Sequence, residues 1–229
     1  MTAKDAITFD LTDAKVRDLN QHLHGDVSGK VSVSNPGGKH SVAVGAMASH
    51  SVEINGNVGY YCAGMNSDAD IRVNGHAGPG LAENMMSGRV HVTGNASQYC
   101  AATAHGGLVV IDGDASSRCG ISMKGVDIVV KGNVGHMSAF MAQKGHLVVC
   151  GDAGDALGDS IYEAQLYVRG QVESLGADCE EKPMGAEHKK TLQALLDAAG
   201  MNEFNIDDFK RYGSARKLYH FDIDNASSY

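Results

Sequence analysis

Tryptophan is absent from this sequence of 229 residues, and proline occurs only 3 times. Positive charge is also scarce, because 19 Lys and Arg residues stand against 27 Asp and Glu residues and leave a formal net charge of −8. An acidic chain without a clustered basic face is not expected to bind nucleic acid or an anionic membrane surface. No secretory signal and no apolar run of roughly 18 residues occurs, so the sequence predicts a soluble, cytoplasmic protein.

The common signatures of chemistry are missing as well. The five cysteines are an odd number and show no CxxC spacing, which disfavours a disulfide framework and a four-cysteine zinc site. Neither HExxH nor GxSxG occurs. The eleven histidines follow no shared spacing, and the sequence therefore predicts no metal site.

Glycine is abundant, with 29 residues, and seven of these recur at intervals of 19 without an insertion. An apolar pair lies four and two residues before each of them, as Val52 and Ile54 do before the first. This alternation predicts a strand with one buried face, repeated seven times. The seven residues, called the ladder glycines below, are Gly56, Gly75, Gly94, Gly113, Gly132, Gly151 and Gly170.

A strict repeat of about 20 residues is typical of a solenoid, in which each unit stacks on its neighbours. Because no helical pattern lies inside the repeat, the sequence predicts an all-β fold: a single-stranded parallel β-helix of about seven to eight coils, with short terminal helices as caps. We expect each ladder glycine to turn a corner with positive φ. The alternative, an anion site at one corner, requires a helix after the glycine, and a further strand follows instead.

Three regions are predicted. Residues 1–29 form an N-terminal cap with a short helix that Thr12 caps, and residues 30–180 form the repeat domain. A weaker first coil contains Gly37, and Pro36 marks it as an edge. Residues 181–229 contain a second helix, Ala186 to Ala199, which is expected to cover the far end of the solenoid.

The last 22 residues are the most aromatic and locally basic part of the chain. They contain the candidate interface residues Phe209, Arg211, Tyr212, Arg216 and Tyr219. Aromatic and arginine residues are frequent anchors of interfaces, which favours docking onto another subunit. The alternative is a tail that packs along its own solenoid.

One column of cysteines resembles a metal-binding row, because Cys62, Cys100 and Cys119 each follow a ladder glycine by six residues. Leu81 and Ser138 occupy the same position in other coils, so we interpret the column as an interior position. The acidic residues that share a coil position lie several coils apart and form no close acid–base pair. The sequence therefore predicts a scaffold without catalytic residues, and it shows no cleft of the kind that a β-helix carbohydrate enzyme requires.

The spacing of Gly151, Gly154 and Gly158 resembles the GxxGxxxG repeat of the C-terminal β-helix domain of the glutamate synthase large subunit. Formylmethanofuran dehydrogenase also has a component with a similar domain, and membership of that kind of complex is the alternative. The free-standing coil domain that ends in "RYGSARKLYHF" most resembles the β-helix subunit of N-methylglutamate synthase.

That resemblance implies a complex that forms N-methylglutamate from methylamine and glutamate. It implies an amidotransferase-like partner subunit and a glutamate-synthase-like partner that carries FMN and iron–sulfur, while this chain binds no cofactor alone. The chain departs from glutamate synthase because Thr2 follows Met1 where a cysteine nucleophile would stand, and because it lacks an iron–sulfur cysteine cluster. No catalytic residue is therefore transferred to this chain.

Overall fold

A computed structural model describes residues 6–26 and 28–217. The described residues form one sheet of 11 strands in the order β1-β2-β3-β4-β5-β6-β7-β8-β9-β11-β10. The strands are β1 (Ile7–Asp10), β2 (Lys30–Ser34), β3 (Ser51–Asn55), β4 (Asp70–Asn74), β5 (Arg89–Val92), β6 (Leu108–Ile111), β7 (Lys124–Val130), β8 (Lys144–Val149), β9 (Gln165–Val168), β10 (Cys179–Lys182) and β11 (Lys210–Ser214). The α-helices are α1 (Val16–Leu23) and α2 (Ala186–Ala199), and a short 3-10 helix spans Ile206–Asp208.

The strands from β1 to β9 pair in parallel, each with the next along the chain. From β3 onward the partners lie 19 residues apart, as Ile54, Val73 and Val92 do, except at the start of β7, where the register shifts and Lys124 pairs with Lys144. A second column of bridges runs from Val58 to Val172 with the same spacing. These registers confirm the predicted parallel β-helix. The sheet continues across both predicted region boundaries, and the division into three regions stays a prediction.

The core lies inside the coils. The two apolar residues of each strand repeat, such as Val52 and Ile54, are buried in one continuous cluster. The residue between them faces outward, where Glu53 alternates with its buried neighbours. Alternate burial along each strand is what the period-2 pattern predicts, and stacking joins the small apolar face of each coil into one core.

The ladder glycines are required for a different reason from the one expected. Only Gly56 has a positive φ, of 133°, so the prediction of positive φ at every corner is wrong. At Gly94, a Cβ atom would lie 2.7 Å from the carbonyl oxygen of Gly75 and 2.6 Å from Nδ1 of His76. The ladder glycines thus allow the backbones of adjacent coils to approach closely.

Positive φ occurs instead in an arc later in the coils that follow Gly56 through Gly151, five, seven and nine residues after the ladder glycine. In one coil these are Tyr61, Ala63 and Met65, with φ of 63°, 56° and 56°. Left-handed conformations cost roughly 1–2 kcal/mol for residues other than glycine. The neighbouring coils stabilise the arc, because the N–H groups of Tyr61 and Ala63 donate to Pro79 and Val42 on opposite sides.

The N-terminal end is closed by α1. Its Leu19 and Leu23 are buried in the solenoid core. The Asn20 amide donates to the Ser41 carbonyl at 2.8 Å and accepts from the Val44 N–H at 3.2 Å, so it substitutes for a preceding coil. The predicted Thr12 cap is wrong, because the N-cap residue is Lys15 and its side chain makes no capping hydrogen bond.

The edge at this end is β1, which pairs with β2 on the side away from β3. The coil that contains Pro36 is therefore not the edge that the sequence predicted. An extra strand in residues 1–29 was not predicted either, since its four residues carry no repeat signal.

The predicted bounds of α2 are confirmed, and Gly200 ends it in a left-handed conformation with φ of 75°. Its predicted position at the end of the solenoid is wrong. Leu192 and Leu196 pack on the outer face of the sheet, over a strip of outward-facing residues in β6 to β9. This strip consists of Val110, Val129, Val148 and Tyr167. The C-terminal end is covered by β11, which pairs antiparallel with both β9 and β10.

Candidate interaction surfaces

A column of polar side chains follows the ladder glycines and joins the coils. Asn57 Oδ1 accepts the His76 N–H at 2.9 Å, and His76 Nδ1 accepts the Asn95 N–H at 2.9 Å. The pattern continues through Asp114, Asn133 and Asp152 to Gln171. Each side chain satisfies a backbone donor in the next coil, and this column therefore has a structural role.

Beside this column runs a shallow groove with a cavity volume of about 560 Å³. Its floor consists of small residues, including Ala77, Ala96 and Ala115, which lie in the second column of bridges. The polar atoms at its edge already bind the coils, as His76 and Asn95 show. The groove presents a smooth surface and no convergent set of reactive groups.

The cysteine column lies in the core, which confirms the interior interpretation. Cys62, Cys100 and Cys119 are fully buried, as are Leu81 and Ser138 at equivalent positions. Burial raises the pKa of the Cys62 thiol to about 12. The pKa of the Cys100 thiol is also raised, chiefly by its hydrogen bond with Cys119 and then by burial. Thiols of this kind are poor nucleophiles and poor metal ligands near neutral pH.

A thiol reagent tests this arrangement. At pH 8, dithionitrobenzoate is expected to leave Cys62, Cys100, Cys119 and Cys150 unmodified in the folded chain, because all four are buried. In denaturant all five cysteines are expected to react. Mass spectrometry of the labelled peptides measures each site, and rapid native labelling of Cys100 or Cys119 would contradict an interior column.

The part of the outer sheet face that α2 does not cover carries a polar network. The network runs from β3 to Asp112, the residue after β6. The Asn74 amide donates to Glu53 at 2.8 Å and its oxygen accepts from Arg72 Nε at 2.9 Å. Arg72 Nη1 donates to His91 Nδ1 at 2.8 Å, which leaves His91 Nε2 to donate to Asp112 at 2.9 Å. The network holds these side chains in fixed positions on an exposed surface.

A second histidine–carboxylate pair lies beside α2. His146 Nδ1 is 2.7 Å from Asp127 Oδ1, and the His146 ring stacks on Tyr167 at 6.3 Å between centroids. The groove between this pair and α2 has a volume of about 530 Å³ and is lined by Leu195 and Ala198. Burial raises the pKa of Tyr167 to about 12, so its hydroxyl stays protonated and donates to Gln165.

Among residues 6–26 and 28–217, no group of three or more His, Cys, Asp or Glu side chains is placed to hold a metal ion. Within the same ranges His50 is buried, and neither of its ring nitrogens has a hydrogen-bond partner. Its ring lies 5.8 Å from the His22 ring of α1. This histidine belongs to the packing beneath the N-terminal cap.

The structure separates the residues predicted to form an interface with another subunit. Phe209 packs under α2 and Tyr212 packs in the solenoid core, and each is only 5% exposed. Arg211 Nε donates to the Pro183 carbonyl, and the exposed Arg216 pairs with Glu163. Tyr219 lies outside the described residues. The interface role of this segment stays a prediction, and the buried aromatic rings serve the chain's own fold.

The N-terminal coils carry exposed apolar side chains that were not predicted from the sequence. Met47, Met65 and Met86 are 58%, 52% and 50% exposed, and Tyr60 is 47% exposed. Tyr60 stacks on Tyr61 with ring centroids 5.5 Å apart. The repeat assigns no pattern to these outward turn positions, and their exposure is known only from the structure.

These features define a class of protein, a parallel β-solenoid with extended surfaces. Its most evident sequence motif, the ladder glycines, serves the contacts between coils. In the described part of the chain, neither helix is long and apolar enough to cross a membrane. No family model matches the sequence.

One curated protein gives a close match. Protein GlxC of Rhizobium meliloti (strain 1021) is 60% identical over 225 residues, which cover 96% of this chain and 99% of that protein. The chain belongs to the GlxC family.

Proposed function

We propose that this chain is a non-catalytic scaffold subunit of a glutamate-synthase-like complex. In this proposal it holds an amidotransferase-like subunit against a subunit that carries FMN and iron–sulfur, and the complex forms N-methylglutamate from methylamine and glutamate. The observation that carries the proposal is that the glycine motif serves the stacking of the coils. Gly75 and Gly94, like the equivalent glycines, provide close contacts between coils.

The chemistry of the cysteines supports placing the iron–sulfur group in a partner. Cys62, Cys100 and Cys119 face the core in separate coils, and Cys150 lies beneath Arg169 and Phe204 on the outer face. An iron–sulfur cluster requires several thiolates around one centre. The described positions of the cysteines do not provide such a centre.

The shape supports a scaffold. Coils in constant register form a stiff rod, since each backbone N–H in the columns bonds to an adjacent coil. A stiff rod fixes the distance between two attached subunits, and transfer of a small molecule between two active sites tolerates little misplacement. Met47 and Tyr60 expose apolar side chains of the kind that protein–protein interfaces use.

Co-purification from the native host tests the proposal. The tagged chain is expected to recover an amidotransferase-like protein and a flavin protein, and the recovered complex to form N-methylglutamate, while the chain alone is inactive. The double substitution Met47→Lys with Tyr60→Lys is expected to lose both partners. Leu175→Lys, at a residue 36% exposed near the other end, is the matched control.

The other outcomes are informative. Recovery of the folded chain by itself contradicts the proposal. Recovery of formyl-transfer subunits supports the alternative, in which this chain is the β-helix component of a formylmethanofuran dehydrogenase complex. Turnover by the purified chain alone contradicts a scaffold role of either kind.

A further inference from the structure

A carboxylate and an aromatic ring converge over Gly80 on the outer surface of the solenoid. A Cβ atom at Gly80 would lie 3.0 Å from Glu83 Oε2 and 3.2 Å from Tyr60 Cε2. The two side chains therefore border the same point, and they occupy the space that a side chain at residue 80 would fill. Gly80 has a φ of 71°, which also favours glycine. We call Tyr60 and Glu83 the acidic–aromatic pair.

The ring of Tyr60 is held in place and yet remains accessible. It stacks on Tyr61 with centroids 5.5 Å apart, and the His40 ring meets it edge-on at 6.4 Å. The Tyr60 N–H donates to His40 Nδ1 at 2.8 Å. These contacts fix the ring while 47% of the residue stays exposed. An aromatic ring carries partial negative charge on its face, and an exposed, fixed ring is therefore suited to contact with a cation.

The carboxylate of Glu83 is half-buried on a fixed backbone. Its N–H donates to the Gly80 carbonyl at 3.3 Å, and its carbonyl accepts the Met65 N–H at 2.9 Å. Burial raises the pKa of the Glu83 carboxyl, and in the part of the chain that the structure describes no basic side chain is close enough to counter this effect. A carboxylate that has lost hydration without gaining an opposite charge is stabilised by a cation placed beside it.

A guanidinium group matches both members of the pair. It is planar and weakly hydrated, so it stacks on an aromatic face, and its fork of N–H groups donates to a carboxylate. The ammonium group of lysine is a strongly hydrated point charge and does not stack. The formal net charge of −8 also attracts a basic partner at longer range. Because the ring is open to solvent, the pair is suited to a side chain that another protein presents.

We propose that the acidic–aromatic pair binds an arginine side chain of a partner protein, with the guanidinium group on the Tyr60 ring and its N–H groups donating to Glu83. This inference goes beyond the proposed function, because it assigns a binding chemistry to two residues whichever reaction the complex performs. Its test uses the purified chain and a small probe. Failure of that test is therefore distinguishable from failure of the co-purification experiment.

Nuclear magnetic resonance of the ¹⁵N-labelled full chain tests the binding chemistry. Titration with N-acetyl-argininamide is expected to give saturable shifts of the Tyr60, Gly80 and Glu83 N–H signals. N-acetyl-lysinamide is expected to bind about threefold more weakly, since its ammonium group loses the stacking contribution. N-acetyl-citrullinamide has nearly the same shape as the arginine probe but no charge, and it is expected to leave these signals unshifted.

Two substitutions separate the contributions of charge and ring. Glu83→Gln removes the charge with little change in shape and is expected to weaken binding of the arginine probe about fivefold. Tyr60→Leu keeps an apolar side chain without an aromatic face and is expected to weaken it about threefold. Glu173→Gln, at an exposed carboxylate in a later coil, is the matched control and is expected to leave the affinity unchanged. Circular dichroism confirms that each variant folds.

Several results would overturn the proposal. These are the absence of saturable shifts around Gly80, equal shifts with the citrulline probe, and an unchanged affinity in the folded Glu83→Gln variant. Binding of the lysine probe as tight as that of the arginine probe would contradict the choice of arginine. Shifts of the same signals that grow with protein concentration, in the absence of any probe, would assign the pair to a second copy of this chain and exclude a different partner.

Discussion

Replacement of Gly94 by alanine is expected to destabilise the folded chain by about 3 kcal/mol or more. The new Cβ would lie 2.7 Å from the Gly75 carbonyl oxygen and 3.0 Å from its carbonyl carbon. These neighbours are backbone atoms fixed by the bonds between coils, so they cannot move aside as the end of a flexible side chain can. The expected result is a lower midpoint in urea unfolding.

The matched control is Gly213→Ala. At Gly213 a Cβ would lie 3.7 Å from Lys182 Cγ and 3.8 Å from the Ala164 carbonyl oxygen, which are ordinary contact distances. This residue also lies in a strand, β11. Its substitution is expected to change the unfolding free energy by less than about 1 kcal/mol. Equal effects of the two substitutions would refute close approach as the reason for the ladder glycines.

Truncation before Asp208 is expected to have an even larger effect, because it removes β11 and two buried aromatic residues. Phe209 and Tyr212 are each 5% exposed, and loss of one buried aromatic side chain costs about 3–5 kcal/mol. The edge of β9, now paired with Lys210 to Tyr212, would also become open to other chains. The expected result is insoluble or aggregated protein, measured by soluble yield and size-exclusion chromatography.

Truncation after Lys217 is the control, since it retains every described strand and helix. This shorter deletion is expected to leave the circular dichroism spectrum and the thermal transition nearly unchanged. A soluble, folded protein after removal of residues 208–229 would show that β11 is dispensable. The comparison measures what residues 208–217 contribute to the fold.

The repeat made the fold predictable because each of its features has one physical cause. Alternating apolar residues such as Ile71 and Val73 require a buried side of a strand, and constant spacing requires stacking in register. The bounds of α2 could also be predicted from the sequence, since its apolar stripe ends at Gly200. These signals are local in the sequence, and neighbouring coils repeat them.

The position of α2 was not predictable from its own residues. Its location depends on Val110, Val129 and Val148, which sit at an outward position that holds Arg72 and His91 in earlier coils. Where a helix covers the sheet, the residues of an outward column change from polar to apolar. This change in the sequence indicates the position of the helix. The 19-residue repeat is carried by the inward columns, and it does not reveal this change.

The left-handed arcs were missed because glycine was taken as the marker of positive φ. Residues as different as Tyr61, Asn84 and Arg118 adopt it, with φ of 63°, 55° and 58°. Hydrogen bonds to the coils above and below hold them there, so the conformation is a property of the stack and not of the single residue. The exposed methionines were missed for a related reason, since the repeat pattern assigns no role to the outward turn positions that Met65 and Met86 occupy.

Constant register means that this rod changes length in steps of one coil. A duplication of 19 residues within β3 to β5 would add about 4.8 Å and renew every contact between coils, without touching the strip under α2. An insertion of any other length would shift the small residues of one coil against the backbone of the next. During evolution, the distance between two proteins attached to the rod can therefore change only in steps of one coil, about 4.8 Å.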